Sequence, residues 1–384
     1  GPTVAINGNA GRNDGNSFNQ NQGRVVNGIL DFASASIDAN MPLFRGLNVL
    51  NTYRQNSSLY EAQFNQVSRT NQDVMRDIAR QYLTCLLDER LVVINQKNVE
   101  TQKQQFDQIA EQVNAGSRAE VDMRNQEYQV KNAELLLLRA QNTLRNDKAI
   151  LAATLLMDPA QGFEIEEPTW PVTVDNLTLE ELYATAAERR SDLTGARHIE
   201  KAAHLGYAAT KGTYFPSITA FASYGSAYNY IHGLGDPGNR TFEQQFTEDN
   251  TQLTYGVTFR IPVYSAFQNR SNVVRNRMLY ENAKLQTENT EIVVKTQVQL
   301  AYQNLKDAQS AFDAAQAQLQ AAEVSNSLER ERYQLGISDI VALTLSNQTL
   351  TRAQSDFESA KYTLMFQKLL VSYAIGTLKF EDIP

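Results

Sequence analysis

The sequence predicts an α+β membrane protein in which long antiparallel coiled-coil helical hairpins are joined to four β-strands per chain. Three observations predict it. An internal repeat spaces matching landmarks by 220 residues (262 − 42, 302 − 82 and 336 − 116 for Pro42/Pro262, Tyr82/Tyr302 and Gly116/Gly336). A stretch from Leu47 to Ala115 contains neither proline nor glycine. Short segments on either side of the helical regions alternate apolar and polar residues, the pattern of a strand with two different faces.

Taken in order, the first unit opens with a strand around Thr3, Val4, Ile6 and Asn7, followed by a Gly- and Asn-rich loop from Gly11 to Asn27. A second strand follows from Ala33 to Met41. Its apolar set is Ala33, Ala35, Ile37, Ala39 and Met41, and its polar set is Ser34, Ser36, Asp38 and Asn40. The uninterrupted stretch to Ala115 then reads as one helix, which at 1.5 Å per residue would run about 100 Å. Within it Ile78, Cys85, Val92, Val99 and Phe106 recur every seven residues, whereas the matching row of Gln81, Asp88, Asn95 and Gln102 is polar and reads as a side facing water. Gly116 breaks the helix, and 119–156 returns with Val121, Leu135, Leu138 and Leu144 as apolar positions.

A proline-rich segment with Pro159, Pro168, Pro171 and the single tryptophan, Trp170, reads as an irregular connector. The expected division is therefore a first repeat over 1–157, an irregular connector over 158–178 and a second repeat over 179–384. The second repeat begins with a helix from Leu179 to about Thr213, with Glu180 and Glu181 at its positive end. A strand with Ile218 and Ala220 on one face and Ser217 and Thr219 on the other follows. A loop from Ile231 to Asn250 carries Gly233, Gly235, Pro237 and Gly238. The fourth strand sets Leu253, Tyr255, Val257, Phe259 and Ile261 against Gln252, Thr254, Gly256, Thr258 and Arg260. The last hairpin has a seam of Val294, Val298, Ala301, Leu305, Ala308, Phe312, Ala315, Leu319 and Ala322, a break at Gly336 and a return from Ile340 to about Ile375.

Because 220 is even, the repeat puts the apolar residues of all four strands on one face. That pattern fits a transmembrane strand with lipid on one side and water on the other. For a single strand it equally fits a half-buried soluble hairpin. Four strands cannot close a membrane barrel alone, and an open edge in lipid leaves backbone groups unpaired, so copies must pool strands to a total of eight, twelve or sixteen. The expected lumen residues are Ser34, Ser36, Asp38, Asn40, Thr254, Thr258 and Arg260; the expected lipid-facing ones are Ile37, Met41, Tyr255, Val257 and Phe259.

Composition narrows the classes further. With 35 Lys and Arg against 43 Asp and Glu the net charge is −8, and no basic run is present, so nucleic acid is not an expected partner. No apolar run reaches the ~18 residues of a membrane-spanning helix, so a membrane role has to use strands. Cys85 has no second thiol. His198 and His204 are six apart, on different helix faces, and His232 lies elsewhere, so neither a metal nor any other cofactor is expected. No phosphate loop, nucleophile elbow or triad pattern stands out, and the expectation is a protein that is not an enzyme.

Several landmarks in order resemble the TolC family of outer-membrane efflux proteins. They are the corners Pro42-Leu43-Phe44 and Pro262-Val263-Tyr264, the strand entry Tyr214-Phe215-Pro216, the breaks Asn114-Ala115-Gly116 and Gln334-Leu335-Gly336, and the ending Ala374-Ile375-Gly376-Thr377-Leu378. The resemblance covers nearly the whole chain. It implies a homotrimer whose hairpins form an α-barrel across the periplasm, with the 158–178 connector at its equator, and whose strands form a twelve-stranded β-barrel in the outer membrane of a Gram-negative bacterium. The implied function is the exit duct of a tripartite efflux or type I secretion system, working with a periplasmic adaptor protein and an inner-membrane transporter, and in contact with outer-membrane lipid. A soluble coiled-coil scaffold with β-ribbons is the alternative. Pro2 aligns with Pro216, and the helix that precedes the strand in the second unit has no counterpart in the first. The native protein is therefore expected to be longer, with any signal peptide or lipid anchor in the additional part.

The resemblance also implies a gate at the periplasmic tip, formed near Gly336 to Leu345 with Asp122 from the neighbouring hairpin. Asp122 and Tyr333 fall where the family prototype has gating residues, whereas Ser338 takes the place of its arginine and Ala342 and Leu345 the places of its constriction aspartates. This reading removes the salt-bridge lock. It leaves an apolar constriction of Val341 and Leu345 with Asp339 as the only nearby acid. Gly116, Ser117, Gly336 and Ile337 resemble tip contacts for the adaptor's helical hairpin.

Overall fold

The computed structural model describes residues 1–19, 23–158, 162–166, 178–232 and 240–382. Four antiparallel strands form one sheet in the order β1 (Thr3–Asn19), β2 (Arg24–Arg45), β3 (Ser217–Ile231) and β4 (Gln252–Arg260). Among the described residues there are six α-helices: α1 (Asn48–Asn114), α2 (Glu120–Thr154), α3 (Leu179–Arg189), α4 (Ser191–Lys211), α5 (Gln268–Gln334) and α6 (Ile340–Ile375). None is long and apolar enough to cross a membrane.

The 220-residue spacing reappears in the element boundaries. Helices α1 and α5 are each 67 residues long, and their first residues are 268 − 48 = 220 apart. The starts of α2 and α6 are also 340 − 120 = 220 apart. The strand-to-helix corners match in the backbone itself. Gly46 and Leu47 hold φ of 58° and 62°, and Ala266 and Phe267, each 220 residues later, hold 47° and 63°. Left-handed φ disfavours side chains that carry a Cβ, so the paired distortion in both copies marks a corner imposed by the surrounding packing.

Contacts group the chain into two units, Gly1–Tyr60 with His198–Lys284, and Glu61–Arg197 with Leu285–Pro384. Each unit draws on both repeats. The first holds the whole sheet, because β2 of one repeat pairs with β3 of the other. The second holds a core in which Val294, Val298, Ala301, Leu305, Ala308, Ala315 and Ala322 are buried along the seam of α5. The small side chains on that seam allow close helix approach.

The sequence reading needs four corrections. The Gly11–Asn27 loop is mostly strand: β1 runs to Asn19 and β2 starts at Arg24, so the hairpin is 17 and 22 residues long. Its glycines and asparagines hide it, because a strand with water on both faces loses the apolar alternation. The 231–250 loop contains a π-helical turn at Gln244–Asp249; Gly233, Gly235, Pro237 and Gly238 lie outside the described residues. The expected helix over 179–213 is broken at Arg190, whose φ of −68° and ψ of 112° leave the helical region. The Arg190 side chain is 1% exposed and donates to the Ala374 carbonyl at 3.0 Å, to Asp192 at 2.8 and 2.5 Å and to Gln297 at 2.8 Å. Burying a cation requires such partners, and the break points the side chain toward them.

Fourth, the polar heptad row of α1 does not face water. Asp88 and Gln102 are buried, and the row meets the returning α2: Gln81 Nε2 donates to the Asp147 carbonyl at 3.1 Å, and Gln126 Nε2 donates to Gln102 Oε1 at 2.8 Å. A related pair sits in the other hairpin, where Asn326 Nδ2 donates to Asn347 Oδ1 at 2.8 Å. Buried amides of this kind fix the register of an antiparallel pair, because a slip leaves each one unpaired. Conversely, Val121, Leu135 and Leu138 of α2, read as apolar hairpin positions, are exposed. Of the connector, residues 162–166 are irregular; Pro159, Pro168, Trp170 and Pro171 lie outside the described residues.

Candidate functional site

The expected site residues fall in two places, the faces of the sheet and the hairpin tips. Across the sheet, register sorts side chains into rows. One face carries Ile6, Ile37, Tyr224 and Leu253 in one row and Val4, Ala39, Ala222 and Tyr255 in the next. Met41, Ala220 and Val257, then Phe44, Ile218 and Phe259, continue it. The other face carries Asn7, Ser36, Gly225 and Gln252, then Ala5, Asp38, Ser223 and Thr254. Ser34, Asn40, Thr258 and Arg260 share that polar face by the same alternation. The expected lumen set and the expected lipid set therefore lie on opposite faces of one sheet. Val4, Ile6, Ile37, Met41, Leu253, Tyr255, Val257 and Phe259 are all exposed, so no described residue covers the apolar face.

On the polar face Asp38 accepts from Asn7 Nδ2 at 2.6 Å, Ser36 Oγ at 2.8 Å and Ser223 Oγ at 2.5 Å. An open cavity of about 320 Å³ lies over this face, lined among others by Asn9, Ser34, Ser36 and Thr254. Gly256 also has a role here, since a Cβ would stand 3.1 Å from the ring of Phe221, which lies across it.

At the tips, Gly116 and Gly336 hold φ of 71° and 72°. Each closes its helix with the same pair of bonds, from Gly116 and Ser117 to the carbonyls of Val113 and Gln112, and from Gly336 and Ile337 to those of Tyr333 and Arg332. A Cβ at either glycine would meet nothing within 4 Å. The tips are thus open surfaces with Leu335 and Ile337 exposed.

The gate residues come together only in part. Asp339 caps α6, accepting from Ala342 N at 2.8 Å, so its carboxylate is tied to the helix end. Val341 and Leu345, four residues apart on α6, are 70% and 63% exposed and project from the chain together. Asp339 is not the only acid nearby, because Ser338 Oγ donates to Glu329. Arg118 links the two hairpin tips by a hydrogen bond, and its ion pair with Asp122 lies within its own hairpin. Arg118 donates through Nη1 to the Tyr333 hydroxyl at 2.5 Å, and its Nε lies 3.5 Å from Asp122. Sequence reasoning missed Arg118, although the signal was present: 338 − 118 = 220, so the arginine absent at Ser338 stands at its repeat image in the other hairpin.

Among the described residues no group of three or more His, Cys, Asp or Glu side chains is placed to hold a metal. Cys85 is fully buried, and burial pushes its thiol up to about 12, which makes it a poor nucleophile.

A profile of the outer membrane efflux protein family matches residues 1–155 and 182–370. The chain belongs to that family. Among curated relatives of this outer membrane efflux protein, TolC of Salmonella enteritidis is 22% identical over 320 residues, covering 81% of this chain and 62% of its own length. TtgC of Pseudomonas putida strain KT2440, named a probable efflux pump outer membrane protein, is 22% identical over 77% of this chain and 57% of its own. The chain thus spans less than two thirds of these relatives. Its fold is that of the outer membrane protein VceC from Vibrio cholerae, with a TM-score of 0.83 at 15% identity over 98% of this chain and 87% of the other. Membership places this efflux protein in the outer membrane of a Gram-negative cell.

Proposed function

We propose that three copies close a twelve-stranded barrel (4 × 3) in the outer membrane, with their hairpins continuing as a helical tunnel into the periplasm. The assembly is a passive exit duct that receives substrate from an inner-membrane transporter through a periplasmic adaptor. The observation that carries this reading is the sheet: an open, single layer whose helix-proximal part is apolar on one side and polar on the other, with β1 and β4 as unpaired edges among the described residues. In lipid such edges must be closed by other copies. The exposed apolar heptads of the helices point to the same neighbours. Tyr53, Tyr60, Val67 and Val74 on α1, Val121, Tyr128 and Leu135 on α2, and Met278, Leu285 and Ile292 on α5 each recur every seven residues and are exposed among the described residues. A soluble scaffold would not leave these stripes and one whole face of its sheet uncovered.

Small-molecule efflux is the proposed cargo class, in line with relatives whose names include "Toluene efflux pump" and "Antibiotic efflux pump". The tips around Gly116, Ser117, Gly336 and Ile337 are the proposed adaptor contact, and Arg118, Asp122 and Tyr333, with Val341 and Leu345 at the constriction, the proposed gate. Purified protein reconstituted in planar bilayers should give discrete conductance steps. A preparation that inserts in lipid yet never conducts, even with the tip network removed, contradicts the duct.

A further inference from the structure

The polar face of the sheet is not electrically uniform. By register its charged residues over the stretch of β2 that pairs with β3, Leu30 to Arg45, and across to β4 are Asp38, Arg45 and Arg260. Asp38 is held by three side-chain donors. Arg45 and Arg260 flank Ser217 in a single row at the helix-proximal end of the sheet, on β2 and β4 with β3 between them. Strand spacing puts their backbones roughly 10 Å apart. Both are exposed, and neither is paired with a carboxylate among the described residues. They open onto a cavity of about 630 Å³ whose other lining includes Asn48, Thr213, Thr219, Thr258, Ser265 and Asn269, and no acid.

This is an unusual use of arginine in a chain of net charge −8. Two guanidinium groups left without counter-ions, surrounded by hydroxyl and amide groups, present donors with no competing acceptor charge. A bound or passing anion would complete both. A cation would meet uncompensated repulsion in a walled, low-dielectric passage where such fields are focused.

We propose that Arg45 and Arg260 form an anion-selecting collar at the inner mouth of the barrel, favouring passage of anionic solutes such as carboxylates, sulfonates or phosphates. The proposal rests on the duct reading above, under which three copies contribute six arginines (2 × 3) to one ring. Rings of charged side chains are a general device for setting ion selectivity.

The test is the reversal potential of reconstituted channels in a KCl gradient, for wild type, Arg45→Gln, Arg260→Gln and the double variant, each in an Arg118→Ala background to hold the tip open. The wild-type collar is expected to pass chloride in preference to potassium, and the double variant to lower the chloride-to-potassium permeability ratio about threefold or more, with single variants between. Equal ratios in all four proteins, with normal conductance, overturn the collar while leaving the duct intact. Absence of any conductance in all four overturns the duct itself. Circular dichroism and oligomer mass of the double variant guard against misfolding, and Arg45→Lys with Arg260→Lys should retain the preference.

Discussion

Arg118 shows how much a single side chain contributes at the hairpin tip. Its guanidinium joins the Tyr333 hydroxyl on α5 to Asp122 on its own hairpin, so that two hairpins share one charge-assisted contact. Arg118→Ala is expected to raise channel open probability several-fold while stability changes by no more than ~1 kcal/mol, since the pair is partly exposed. Tyr333→Phe, which removes only the hydroxyl, should produce a smaller change in the same direction. Single-channel recording measures both, and unaltered opening in Arg118→Ala would remove it from the gate. With Ala342 and Leu345 in place of acids, block by trivalent cations from the periplasmic side should be weak. Gly46 represents a different residue-scale constraint. It holds a positive φ where a Cβ would overlap the Gly212 carbonyl oxygen. Gly46→Ala should cost ~2 kcal/mol or more, readable as a lower melting temperature.

At the scale of elements, the boundaries of the long helices were legible because glycine and proline mark them: α1, α5 and α6 end next to Gly116, Gly336 and Gly376. The faces of the strands were legible because a period of two cannot be mistaken over nine residues. Features set by distant partners were not legible. The break at Arg190 exists because the Ala374 carbonyl and Gln297 are there to receive a buried cation. The polar row of α1 looked solvated because its partners lie on α2, a register that sequence does not print. Asp88 in that row has a consequence that can be measured. It lies beside Asp147, with Cys85 and the Lys148–Glu89 ion pair as the other titratable groups nearby, and its buried Oδ2 has no donor. Two carboxylates offer only acceptors, so a retained proton is what closes the contact. Burial, then the Asp147 carboxylate, pushes the Asp88 carboxyl up to about 7. The folded hairpin therefore binds this proton more tightly than the unfolded chain. Its stabilisation is complete below about pH 4 and is lost as pH rises through about 7. Asp88→Asn should flatten that dependence and stabilise the protein by ~2 kcal/mol at pH 8 relative to wild type. Melting curves at pH 5 and pH 8 with identical slopes for both proteins would contradict the shared proton.

At the scale of the molecule, one chain leaves the apolar side of its sheet and several helical stripes exposed. The duplication was readable from three landmarks, and the helices keep its spacing to the residue. What sequence did not reveal is which apolar positions are buried within the chain and which stay exposed, since both kinds recur at heptad spacing on the same helices. The alanine-rich seam of α5 is satisfied internally, whereas Met278, Leu285 and Ile292 on the same helix are 54%, 63% and 64% exposed. Replacing Leu285 and Ile292 together by Glu should leave helical content unchanged and prevent assembly, as a shift of the detergent-extracted species to the mass of one chain. The most direct measurement of the central claim is the native mass of wild-type protein extracted from membranes. Three chains per particle, stable in detergent and aggregating without it, is the result expected; a monodisperse single chain that stays in solution without detergent would contradict it.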